Sequence, residues 1–165
     1  MLEHADHDHE DAAPIDMLES YYAAHGWEHE RHDDEIVATV KGSWTTYELR
    51  ALWREDDSVL QFLAFPDIKV PDERRQAVYE TIGLANEQLW IGHFDLWSSD
   101  SVVMFRHALL LAGGAVPTHP QCATMMKTAV DACERYFQAF QFVLWAGKSA
   151  REALDAVLFE TEGEA

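Results

Sequence analysis

The sequence predicts an α+β domain in which an antiparallel sheet of about five to six strands carries helices packed on one face. Three observations lead there. Between about residues 27 and 65, apolar residues recur with strand-like alternation, and short turn clusters separate the runs. Two stripes at helical spacing, over 71–90 and 122–143, flank a second pair of strand-like runs. The turns are too short for parallel crossovers, so strands that follow one another are antiparallel.

The first helix begins at Pro14, whose fixed φ suits the first helical position. Ile15, Leu18 and Tyr22 share one of its faces, and Gly26 is placed to end it. Trp27 to Arg31 forms a short first strand. In the second, Ile36, Ala38 and Val40 alternate with Val37 and Thr39 until Gly42-Ser43 turns the chain. Tyr47, Leu49, Ala51 and Trp53 line one side of the third strand. Glu48, Arg50 and Arg54 line the other, with Leu52 as an apolar exception. Glu55-Asp56-Asp57-Ser58 is a turn. Val59 to Phe65 is apolar on nearly both faces, which puts that strand in the sheet interior.

A helix is predicted from Pro71 to Trp90. Asp72 and Glu73 complement its positive end, Val78, Ile82, Ala85 and Leu89 make its stripe, and Gly92 closes it. A hairpin over 93–111 turns at Ser98-Ser99-Asp100-Ser101, and Gly113-Gly114 breaks its second strand. Thr118-His119-Pro120-Gln121 is a capping box, from which Cys122, Met126, Ala129, Cys133, Tyr136, Phe140 and Val143 run as a stripe toward Gly147. Ser149-Ala150-Arg151-Glu152 is a second box, followed by Leu154, Val157 and Leu158. The chain thus divides into a disordered acidic, His-rich leader (1–12), one folded domain (13–160) and an acidic tail (161–165).

The formal net charge is −18, and residues 1–35 hold twelve acids against one base, Arg31. A field of that sign repels phosphate, so nucleic acid and anionic membrane surfaces are excluded as partners. The N-terminus has no apolar signal segment and no apolar run is long enough to span a bilayer, so a cytoplasmic protein is expected. Cys122 and Cys133 fit that compartment. On one helix they would stand about 16 Å apart, too far for a disulfide, and are expected buried and reduced.

The hairpin carries the one constellation that geometry can build. Its turn pairs Trp97 with Val102, Asp95 with Met104 and His93 with Arg106. His93, Asp95, Trp97, Met104 and Arg106 then share a face, while Phe94, Leu96, Val103, Phe105 and His107 share the other. Asp95 and Arg106 lie diagonally and are expected to form an ion pair. Such a patch can bind polar groups, but it lacks the nucleophile or metal that catalysis needs. His25, His29 and His32 straddle Gly26 and a strand, so they do not converge as zinc ligands. His4, His7 and His9 belong to the leader. Trp90 and Trp145, at helix ends, are expected in the core. Trp44 beside a turn and Trp97 at the hairpin tip are expected exposed, where aromatics anchor protein partners. The expected binding residues are Trp44, His93, Asp95, Trp97 and Arg106, with no catalytic residue, metal or cofactor.

Several blocks together resemble the YbjN domain family of bacterial sensory transduction regulators. They are Gly42-Ser43-Trp44, Val70-Pro71-Asp72-Glu73-Arg74-Arg75, Leu89 to Trp97, Phe105 to Leu109 and Phe140 to Ser149. The resemblance spans residues 14–158. It implies a fold similar to type III secretion chaperones, which are small, acidic, usually dimeric and bind extended segments of other proteins. It supplies no catalytic residues. The chain departs from those chaperones in its long C-terminal helix, the further helix after it, and the His/Asp-rich leader. The expectation is a non-enzymatic regulatory or chaperone-like module that binds another protein or a second copy of itself. The alternative is a small-molecule or metal-responsive sensor using His93, Asp95, Arg106 or the N-terminal histidines.

Overall fold

The computed structural model describes residues 14–162, with side chains through Phe159. The leader and all but the first two residues of the tail lie outside the described residues. The order of elements is α1 (Pro14–Ala24), β1 (Glu28–His32), β2 (Glu35–Lys41), β3 (Thr46–Arg54), β4 (Val59–Phe65), α2 (Arg75–Asn86), β5 (His93–Trp97), β6 (Val102–Leu110), α3 (His119–Trp145) and α4 (Ala150–Glu162). The six strands form one antiparallel sheet in the order β1-β2-β3-β4-β6-β5. β1 to β4 is a meander; α2 carries the chain to the far edge, and the hairpin returns β6 to lie beside β4. The α+β expectation is borne out, and β4 is interior as its composition required.

Registry fixes which residues face the helices. Ile36 lies opposite Ala51, Ala51 opposite Phe62, and Ala64 opposite Phe105, which in turn faces Phe94. All are buried, because α1, α2 and α3 cover this inner face; α4 packs on α2 and α3. Every residue of the predicted α3 stripe is buried, from Cys122 to Val143. Burying the larger of these side chains, the Ile, Phe, Met and Val, stabilises the fold by about 1.5–3 kcal/mol each, before conformational entropy is charged against it. Both cysteines are buried and free, and burial raises the Cys133 thiol to about 12.

The helix ends follow their caps. Thr118 Oγ1 accepts from the Gln121 backbone N–H at 3.1 Å, while Gln121 Oε1 accepts from the Thr118 N–H at 2.8 Å, a complete capping box. At α4 only half of one forms: Ser149 Oγ accepts from the Glu152 N–H, but the Glu152 carboxylate takes the Ser149 hydroxyl. Arg74 donates through Nε and Nη2 to the Val143 carbonyl near the end of α3, where a cation also complements the helix dipole.

Two expectations are corrected. The predicted 71–90 helix is a 3₁₀ turn over Asp72–Arg74 followed by α2, which stops at Asn86. Asn86 turns its amide to β5, donating to the Phe94 carbonyl and accepting from the Phe94 N–H, and the chain beyond tightens into i→i+3 bonds. Trp90 therefore lies past the helix and is 99% exposed rather than in the core. Trp145 is 81% exposed for another reason. It comes two residues after Val143, about 200° around the helix, and so falls off the buried stripe.

Candidate functional site

Among the described residues, all four helices lie on one side, which leaves the other face of the sheet open. Across that face, register sets Val37, Arg50, Leu63, Arg106 and His93 in one row. A neighbouring row holds Thr39, Glu48 and Phe65, with Met104 opposite Asp95 further along. Leu63 and Met104 are only 7% and 3% exposed, although none of the described helices covers them. Leu63 is flanked by Arg50 and Arg106, whose aliphatic stems can lie along it while their heads reach water.

Beside this row the open face forms a hollow of about 620 Å³. Its floor is apolar, from Leu52, Leu63, Phe65, Trp97 and Val102, and its rim carries Glu35, Glu48, Asp67 and Asp100. One base lies inside. The Arg50 guanidinium bonds Glu35 and Glu48 at 3.3 and 3.2 Å and stands 5.9 Å over the Phe65 ring. Phe65 in turn lies 6.4 Å from Trp97.

Of the residues expected to bind, Trp97 lines the hollow and is 41% exposed. His93, Asp95 and Arg106 share its face and have the predicted partners in register, but they do not line the hollow. The expected Asp95–Arg106 ion pair does not form. Arg106 donates from Nε to His93 Nε2 at 3.3 Å, and Asp95 accepts from the Leu96 N–H at 2.9 Å. The directly opposite neighbour, His93, captures the guanidinium that the diagonal carboxylate was expected to hold.

Trp44 belongs elsewhere. Its ring stacks parallel on Phe137 of α3 at 6.5 Å, and its Nε1–H donates to the Glu134 carbonyl. The Glu134 carboxylate also accepts from the Ser43 N–H and the Tyr47 hydroxyl. Burial alone would raise the Glu134 pKa, but these hydrogen bonds outweigh it and hold the carboxyl below its ordinary value. Gly42-Ser43-Trp44 is thus a clasp between the β2–β3 turn and α3, although Trp44 keeps about half its surface exposed.

The remaining histidines stay dispersed. His25 and His29 each bond a nearby backbone carbonyl, and His107, half-buried on the inner face, has its pKa lowered by burial and then by His93. Among the described residues, no group of three His, Cys, Asp or Glu is disposed to hold a metal ion. Sequence reasoning missed Leu52, Leu63, Phe65 and Arg50 as members of one surface. The signal was present in Val59–Phe65, apolar on both faces, once the helices are known to cover only one of them.

A helix-backed antiparallel sheet with one open face, hollowed and acidic at its rim, defines the class: an α+β domain whose free surface is the sheet itself. Residues 14–142 match the YbjN family, described as "Putative bacterial sensory transduction regulator", and the chain belongs to that family. The fold agrees with the crystal structure of YbjN, "a putative transcription regulator from E. coli". That match has a TM-score of 0.53 at 10% identity, over 73% of this chain and 85% of that one, and it establishes the fold alone. No curated protein matches this chain. Among the described residues, no helix is long and apolar enough to cross a membrane.

Proposed function

We propose that this chain is a non-enzymatic regulatory module that holds a polypeptide segment against its open sheet face, in the manner of a chaperone. The observation that carries the reading is the hollow. A half-buried apolar floor on a face that none of the described helices covers is surface area that a partner can bury, and exposed aromatics such as Trp97 are frequent anchors of such contacts. The family's description as regulatory agrees with a role in binding. The charge of −18 favours protein partners over nucleic acid or anionic membranes. Buried reduced thiols suit the cytoplasm.

Selection of a random nonapeptide display library on the full chain tests this, with the site then located by amide chemical-shift mapping. Enriched peptides should perturb the outer-face residues of β3, β4 and β6, and Trp97→Ser together with Leu52→Thr should abolish their binding while the thermal transition stays cooperative. Peptides that map to α3 and α4, or no enrichment at all, overturn the reading. The hollow also lies in the volume range of small-ligand pockets. A metabolite that raises the melting temperature and perturbs the same amides would favour the sensor reading instead.

A further inference from the structure

Two neighbouring aromatic rings line the hollow, Phe65 and Trp97, and carboxylates line it with them, but only one ring carries a cation. At the first, a cation is already housed: Arg50 lies over the Phe65 ring with its guanidinium between the Glu35 and Glu48 carboxylates. At the second, Trp97 offers an exposed ring, and Asp67 and Asp100 line the hollow with no ion-pair partner among the described residues. The nearby bases do not fill the gap. Arg75 is engaged by Asp72 and the Ser101 hydroxyl. Lys69, bridged to Val102 through the backbone, does not line the hollow and pairs with neither carboxylate.

We propose that the Trp97 ring receives its cation from outside, as a lysine or arginine side chain of the bound polypeptide. Its aliphatic stem would lie against Trp97 and Val102 and its head would reach Asp67 and Asp100. The proposal rests on the open-face reading above and adds the chemistry of the occupant. Four carboxylates against one guanidinium leave the lining at net −3, which repels an acidic segment and draws a basic one. An aromatic face beside carboxylates matches the two ends of a lysine or arginine, which carry an apolar stem and a charged tip. Arg50 is the internal precedent: this surface already stabilises one guanidinium by this combination. Nucleic acid, which would bring phosphate, is excluded by the same sign of charge.

The same display library, selected on the full chain and on a D67N/D100N double variant, tests this. Asn keeps the size of Asp and tolerates the positive φ of 58° at Asp67, so the double variant removes charge with little change of shape. On the native chain, recovered peptides should be enriched in lysine or arginine. A synthetic peptide recovered in this way should bind about tenfold tighter than its version with leucine at the basic position. On the double variant both the enrichment and that difference should vanish, while the leucine peptide keeps its affinity. Binders that map to the outer face without basic enrichment, or a preference that survives D67N/D100N, overturn the inference and leave the open-face reading standing. Absence of any outer-face binder overturns both.

Discussion

Glu134 concentrates more of this fold on one side chain than its half-buried position on α3 suggests. Its carboxylate holds the Ser43 N–H and the Tyr47 hydroxyl, and its carbonyl holds Trp44. Gly42 is what lets it come so close. A methyl group at residue 42 would overlap both that carboxylate and the Tyr47 ring, and Tyr47 is fully buried and cannot swing aside. Gly42→Ala should therefore cost about 1–3 kcal/mol, visible as a lower urea midpoint with an unchanged slope. The same carboxylate makes stability depend on pH. Its pKa is lower in the folded state, so the unfolded chain binds the proton first, and the stabilisation is complete above about pH 4.5 and lost as pH falls further. Glu134→Gln keeps an acceptor for Ser43 but has no proton to gain. Its urea midpoint should change less than that of the native chain between about pH 4.5 and pH 3.

At the scale of elements, the sheet has two edges guarded by different means. β1 reads Glu-His-Glu-Arg-His and is charged along its length, a sequence that discourages edge pairing. β5 is apolar in part, and at Phe94, its second residue, it is closed by the two hydrogen bonds exchanged with the Asn86 side chain. Asn86→Ala should cost about 1–3 kcal/mol, and hydrogen exchange should find the Phe94 amide less protected while those of β3 stay unchanged. Asn86 also marks where sequence reading ran out. The α3 stripe and its capping box were legible because both are local: a 3.6-residue period and a hydroxyl three residues before an amide. The end of α2 was not, because the side chain that stops it answers to a strand eight residues later. Trp145 could have been read correctly from its angle to Val143. The hairpin register was legible from turn length, and it placed His93, Asp95, Trp97 and Arg106 on one face. Which face the helices leave open depends on all four helices at once, so the hollow beside those residues was not legible.

For the molecule as a whole, charge is the dominant long-range term. With −18 in 165 residues, and an isoelectric point near 4.6, the folded chain is compressed against its own repulsion at neutral pH. Few of the ion pairs offset this, since most are surface contacts such as Arg54–Asp57 and Lys127–Asp131. The melting temperature at pH 7 should rise as sodium chloride is raised from about 0.02 to 0.3 M, where the Debye length shrinks below the spacing of surface charges. A fall over that range would mean that attractive pairs outweigh the repulsion. The sheet order has a consequence for how the chain is made. β1 to β4 zip between neighbours and can pair as soon as they leave the ribosome, whereas β4 meets β6 only after residues 105–110 have been added. α3 comes later still, so for the span of its synthesis α1 lies on β1 to β3 while the greasy underside of β4 waits for the helix that packs on it.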